Sequence, residues 1–274
     1  MKKEFAYQVA RVVGTPLFKK YYNLSIYGKE NIPEHGPIIF CGNHLHVLDQ
    51  FPVIAATDKT IHWMAKKEYF DGKLGPLFEM TGAICVDRQG DSKKAEQEAL
   101  KYLESGSAIG LFPEGTRNGL KSDRIRELYK LYEDEMDFES FSHKLPEDIL
   151  YSQVLLLDEL YQEGKISLED YKNYILNSSD LLKGLKKEYN TEIVEDSILL
   201  PFKYGAVSMA QKTGVSIVPF AVTGEYKKNS DDLCVRFGEP FQIDTYEPLT
   251  EANVRLREKV KTLVYENKKT NKFY

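Results

Sequence analysis

The segment NHLHVLD, Asn43 to Asp49, follows the apolar run PIIFC and sets a histidine and an aspartate with four residues between them. A carboxylate bonded to one imidazole nitrogen fixes the tautomer and leaves the other nitrogen as a base. In a continuous helix, positions i and i+5 lie about 140° apart in projection. For Asp49 to reach His44, the histidine must therefore sit in a turn that precedes or opens a helix. The plainer alternative is a loop-capping histidine and a solvated aspartate. His46 adds a third possibility, since His44, His46 and Asp49 have the types and spacing of metal ligands. Such a cluster needs further ligands, and the only other histidines are poor candidates. His143 lies in an acidic stretch, His35 in the turn EHG, and His62 alternates with apolar residues as a strand residue would.

A second constellation, FPEGTR at Phe112 to Arg117, follows the apolar run AIGL. Pro113 removes a ladder donor and so ends a strand. Gly115 lets the backbone turn where other residues resist it. Thr116 offers a hydroxyl, and Arg117 offers a planar fork suited to phosphate. Glu114 is placed to hold Arg117 or a substrate hydroxyl. An ordinary polar turn would use the same residues. Basic side chains end two more apolar runs, Lys66 and Lys67 in AKKE and Arg88 after GAICVD, where the plainer account is solvated strand ends. Val218 to Phe220 reads as buried strand carrying a proline or as the wall of an apolar pocket.

Each motif leaves the end of a β-rich run. These runs are GPIIFCGN from Gly36, TIHWMAKKE from Thr60, GAICVDR from Gly82, SAIGLFPEG from Ser107, VSIVPFAVTG from Val215 and LCVRFG from Leu233. Helical stretches alternate with them, such as the one from Ser92 with Gly106 as its C-terminal cap. The pattern predicts an α/β fold, a mixed sheet flanked by helices. Such sheets bind ligands in the loops beyond their strand ends. From Lys121 to Asn190 the pattern is helical instead. LDELYQEGKISLEDYKNYI, Leu157 to Ile175, reads as two short helices joined at Gly164, with Ser167 as N-cap and Asp170 as its acidic partner. The domain organisation expected is one α/β domain from residues 1–118 and 199–274, interrupted by an all-α insertion at 119–198.

The 274 residues are 42% hydrophobic and 29% charged, with a mean hydropathy of -0.43. A polytopic membrane protein is thereby excluded. The longest run without Asp, Glu, Lys or Arg, from His35 to Leu48, has 14 residues, short of the roughly 20 that a spanning helix needs. MKKEF resembles the opening of a signal peptide, but Arg11 and Lys19 interrupt the apolar core it would require. The three cysteines are far apart and form no C-x-x-C pair, which suits a reduced cytosolic protein without a zinc ribbon. A net charge of -5 argues at first against any anionic partner. Its distribution says otherwise. Residues 1–30 carry 6 basic and 2 acidic side chains, residues 119–198 carry 10 and 19, and the other 164 residues are neutral in sum. The chain is a basic arm, a neutral body and an acidic middle.

Taken together and in order, NHLHVLD, AKKE with GAICVDR, FPEGTR, and LLPFKYGA with VPFAVTG resemble the four blocks of the glycerophospholipid acyltransferase family. The nearest branch is that of the 1-acyl-glycerol-3-phosphate, or lysophosphatidic acid, acyltransferases. The resemblance covers roughly residues 1–118 and 199–245. It implies transfer of a fatty acyl group from a thioester, acyl-CoA or acyl carrier protein, to the hydroxyl of a lysophospholipid acceptor in phospholipid synthesis. His44 would be the general base and Asp49 its orienting partner. Arg117 with Lys66 would hold the acceptor phosphate, and Glu114, Gly115 and Thr116 would shape the glycerol site. No metal and no cofactor beyond the thioester co-substrate is implied, and no nucleic acid. Glycerol-3-phosphate or another lysolipid is the alternative acceptor. The alternative of a different class is a metal-dependent hydrolase using His44, His46 and Asp49.

Two departures from the family stand out: His46 where serine is frequent, and about 80 residues inserted after Asn118. Part of the insertion weakly resembles short helical modules appended to bacterial membrane-associated proteins. The acceptor's location implies a membrane. Residues 3–22 carry Phe5, Val9, Val12, Val13, Leu17 and Phe18 near helical spacing with basic flanks, interrupted by a kink or break at Pro16. They predict an interfacial helix attracted to an anionic membrane surface, or else a helix packed on the sheet. The expected location is cytoplasmic, peripheral on the inner face of the membrane.

Overall fold

In the computed structural model each β-rich run becomes a strand. The structure describes residues 2–73, 75–88, 90, 92–146, 149–177 and 197–270. The strands are β1 (Ser25–Tyr27), β2 (Ile39–Gly42), β3 (Ile61–Lys66), β4 (Ile84–Val86), β5 (Ala108–Leu111), β6 (Ile217–Thr223) and β7 (Cys234–Phe237). Their order is β1-β7-β6-β2-β5-β3-β4. Every neighbouring pair is parallel except β6 with β7, so the sheet is mixed. β1 spans three residues and has no counterpart among the expected strands.

The chain divides into two compact units, Met1–Thr116 with Pro201–Tyr274, and Arg117–Leu200. In the first, Phe40 and Val218 point to one face of the sheet and Ile39 and Ile217 to the other. Phe40, Val218, Phe220 and Phe237 form the core of the first face with Tyr7 and Val53, which come from α1 (Lys2–Tyr22) and α2 (Gln50–Ile54). On the other face lie α5 (Ser92–Glu104), α10 (Gly205–Thr213) and α11 (Leu249–Thr270), whose Leu103, Val207 and Leu256 are buried. Burying side chains of this size contributes about 1.5–3 kcal/mol each. Two short helices, α3 (Lys67–Phe70) and α4 (Gly75–Met80), connect β3 to β4.

Helix α1 is continuous through Pro16, so the expected break does not occur. Pro16 and Val12 are exposed, and water can satisfy the Val12 carbonyl that loses its donor. The helix has two apolar sides. Tyr7, Phe18 and Tyr22 pack into the core, whereas Val9, Val12, Val13, Leu17 and Tyr21 face outward, Leu17 at 66% exposure. Among the described residues, no helix is long and apolar enough to cross a membrane.

The second unit is helical where described: α6 (Ser122–Tyr129), α7 (Phe138–Lys144), α8 (Tyr151–Gln162) and α9 (Leu168–Leu176). Its own core gathers Tyr132, Phe141, Leu157 and Ile175. Ser167 caps α9 reciprocally with Asp170, and Gly164 takes the left-handed conformation between α8 and α9. The helical reading over 178–190 lies outside the described residues. Wholly buried Asn118 ties the unit's two ends together. Its amide donates to Ser152 Oγ and to the Ile198 carbonyl, and its side-chain oxygen accepts from the Ser152 N–H.

Candidate active site

Strands β2, β5, β3 and β6 run parallel, so the segments that leave them emerge at one edge of the sheet. The connection from β2 leads past β5 to β3, and that from β5 crosses β2 to β6. Ligands of α/β sheets bind where successive connections diverge in this way.

The turn after β2 is built around Asp49. This carboxylate is wholly buried, and its Oδ2 lies 2.9 Å from His44 Nδ1. The same oxygen accepts the backbone N–H groups of Leu45, at 2.6 Å, and His46, at 2.7 Å. The other oxygen, Oδ1, accepts the Tyr226 hydroxyl at 2.8 Å. Asp49 immediately precedes α2, so His44 lies in the turn that opens a helix, the geometry its spacing from Asp49 requires. An ionised carboxylate only accepts, so Nδ1 carries the proton and Nε2 the lone pair. The His44 side chain is 19% exposed.

The turn after β5 supports the same histidine. The Glu114 carboxylate is buried and accepts the His44 backbone N–H at 2.6 Å. The Phe112 ring stacks on the imidazole with centroids 4.1 Å apart. Trp63 of β3 stacks on Phe112 in turn, at 5.1 Å. Glycines make room for this aromatic floor. A Cβ on Gly110 would meet Trp63 at 2.7 Å, and one on Gly42 would meet Phe220 at 2.5 Å. Gly115 has φ 68°, and the Lys203 side chain lies over the face where its Cβ would project. Asn43 holds β2 to β6 beyond the last ladder bond, donating to the Val222 carbonyl and accepting the Val222 N–H.

The structure thus brings together His44, Asp49 and Glu114, with Gly115 and Thr116 continuing the Glu114 turn. Lys66 closes β3 at the same sheet edge, while the neighbouring Lys67 pairs with Asp87 at 3.0 Å. Arg117 begins the helical unit, where its carbonyl accepts from Arg124. His46 turns toward Tyr226, stacking at 4.3 Å, and its Nδ1 accepts the Leu48 N–H. Among the described residues, no three His, Cys, Asp or Glu side chains converge to hold a metal ion. His62 is a strand residue whose Nδ1 donates to the Gly82 carbonyl at 2.8 Å. Burial, and then the Glu114 carboxylate, push the Cys41 thiol well above its ordinary pKa, so it stays protonated.

Residues 23–223 match the sequence profile of the acyltransferase family. The chain belongs to that family. Over 96 residues it is 31% identical to the 1-acyl-sn-glycerol-3-phosphate acyltransferase of Bacillus subtilis, covering 34% of this chain and 48% of that one. The aligned chain thus spans about half the length of that relative. Over 177 residues it is 26% identical to the enzyme of the same name from Borreliella burgdorferi, covering 63% of this chain and 68% of that one. The crystal structure of the 1-acyl-sn-glycerophosphate acyltransferase PlsC from Thermotoga maritima shares its fold, with a TM-score of 0.58 and 17% identity over 97% of this chain and 81% of that one.

Two features of this site escape sequence reasoning, and a third leaves only a trace in it. Tyr226 reaches Asp49 from 177 residues away along the chain, and no spacing rule joins the two. Asn43 sits inside the first motif, but its partner Val222 is defined only by strand order. The aromatic floor is foreshadowed by the glycines in AIGL and FCGN, which are otherwise unfavourable inside strands.

Proposed function

We propose that the chain transfers a fatty acyl group from a thioester to the free hydroxyl of lysophosphatidic acid, in phospholipid synthesis. The observation that carries this reading is His44 held through Nδ1 by a buried carboxylate, at the sheet edge of a chain of this family. An alcohol is a poor nucleophile until a base takes its proton in the transition state, a contribution of about 10²–10⁴ in rate. His44 Nε2 is that base, and Asp49 orients the ring and stabilises the imidazolium. The glycerol oxygen bonds to the thioester carbonyl carbon. As the tetrahedral species collapses, the C–S bond breaks and the imidazolium returns its proton to the departing thiolate. Balance requires no metal and no covalent acyl-enzyme.

Arg117 and Lys66 bind the acceptor's phosphate, Arg117 as a fork and Lys66 as a point charge. Glu114, Gly115 and Thr116 shape the glycerol site, Glu114 by holding the His44 backbone. The donor is acyl-CoA or acyl carrier protein. The enzyme works at an anionic membrane surface on the cytoplasmic side, and the outward apolar side of α1, next to Lys19 and Lys20, supports that partner.

The test is release of free thiol by purified protein. Acyl-CoA and acyl carrier protein donors are each offered with lysophosphatidic acid, glycerol-3-phosphate and another lysolipid. Release that depends on lysophosphatidic acid, and that falls about 10³-fold in His44→Ala, is the expected result. Full turnover by His44→Ala would overturn the mechanism.

A further inference from the structure

Asp49 is the most enclosed group of the site, and three of its four hydrogen bonds come from its own turn. The fourth comes from Tyr226, on the loop between β6 and β7, whose hydroxyl alone engages Oδ1 among the described residues. The Tyr226 ring is fixed from several sides. His46 stacks on it at 4.3 Å, Tyr22 meets it edge-on at 5.6 Å, and Phe18 lies at 6.3 Å. The loop is pinned to the end of α1 as well. The Asn229 N–H donates to the Tyr21 carbonyl at 2.9 Å, and the Asn23 amide donates to Asp231 at 3.0 Å.

We infer that Tyr226 is a positioning residue of the reaction, its hydroxyl holding the Asp49 carboxylate in the plane from which Oδ2 accepts His44 Nδ1–H. The inference rests on the reading of His44 as base and Asp49 as its orienting group. A carboxylate that accepts at both oxygens cannot rotate without breaking a bond at each. With Oδ1 released, the carboxylate is held through one oxygen and can turn about the donors on Oδ2. The imidazole then loses the fixed direction that puts Nε2 on the substrate hydroxyl, and misalignment of this kind lowers turnover with little effect on binding. Burial, and then the nearby Asp49 charge, hold the Tyr226 hydroxyl well above its ordinary pKa, so it remains a donor. Two of the rings that locate this hydroxyl belong to α1. The helix with the outward apolar side is therefore also a wall of the catalytic turn.

The experiment is Tyr226→Phe, which keeps the ring and removes only the hydroxyl, assayed beside wild type and His44→Ala with acyl-CoA and lysophosphatidic acid. Proton NMR of the His44 Nδ1–H resonance, identified by its loss in His44→Ala, and thermal unfolding accompany the assay. The expected result is a kcat about tenfold lower with KM for both substrates unchanged, and a shifted or exchange-broadened Nδ1–H resonance. Wild-type kcat in Tyr226→Phe with His44→Ala inactive would overturn the positioning role and leave the reading of the site intact. Full turnover by His44→Ala would overturn both. A lowered melting temperature with unchanged kcat and an unchanged Nδ1–H resonance would reduce Tyr226 to a structural residue and overturn the inference. Should Tyr226→Phe fail to fold, the Nδ1–H resonance of a Phe18→Ala enzyme decides. A shift supports the inference, and a wild-type resonance overturns it.

Discussion

At Asn43 one side chain replaces a pair of ladder hydrogen bonds. Its amide meets both polar groups of Val222, and the residue is 2% exposed. Asn43→Ala leaves a buried N–H and a buried carbonyl without partners. We expect a loss of about 2–3 kcal/mol of stability, read by urea unfolding, together with reduced turnover, because His44 follows directly. Asn43→Asp keeps the acceptor for the Val222 N–H but faces the Val222 carbonyl with an oxygen, so it recovers only part of the loss. Gly115→Ala tests a backbone requirement instead. A side chain at φ 68° costs about 1 kcal/mol, and the new methyl group must displace Lys203. The same residues explain what was legible in the sequence. His44 and Asp49 share one turn, so their spacing carried the geometry. Tyr226 and Val222 meet that turn only because β6 lies beside β2, information that no local pattern contains.

At the scale of elements, α1 was legible as a helix but not in its division of labour. Its periodicity admitted both an interfacial helix and one packed on the sheet, and the structure gives it an inward and an outward apolar side. Val13→Asp and Leu17→Asp alter only the outward side. Cosedimentation with phosphatidylglycerol-rich vesicles should fall in both while the melting temperature holds, and wild-type binding should weaken as salt rises. Helix α9 offers a pH test. Hydrogen bonds from Ser167 hold the Asp170 carboxyl below the usual value of 3.8. Stability from this cap is therefore fully present above that value and is lost as pH falls through the lower, folded-state pKa. Ser167→Ala should weaken α9 by about 1 kcal/mol at neutral pH. The difference from wild type should shrink in acid, as followed by circular dichroism.

At the scale of the molecule, the chain leaves the first unit after Thr116 and returns at Pro201. There the Lys203 N–H bonds the Pro113 carbonyl at 2.9 Å. A short glycine-serine link replacing residues 119–198 therefore has little distance to span. We expect such a variant to keep the seven-stranded sheet, checked by circular dichroism. Its net charge changes from -5 to +4, since the removed stretch holds 10 basic and 19 acidic residues. It should bind anionic vesicles more tightly than the full chain at low salt.

The place of that stretch also governs when the sheet can close. Ile39 of β2 pairs with Ile217 of β6, and the whole helical unit lies between them in the chain. During synthesis, β2, β5 and β3 emerge well before β6 exists. One side of β2 then waits unpaired while the intervening helices complete their own core. At roughly 5–20 residues per second the delay lasts several seconds. An open parallel edge of that kind invites aggregation. The helical unit thus sets a timetable for folding, and shortening it should speed refolding of the sheet and raise its yield.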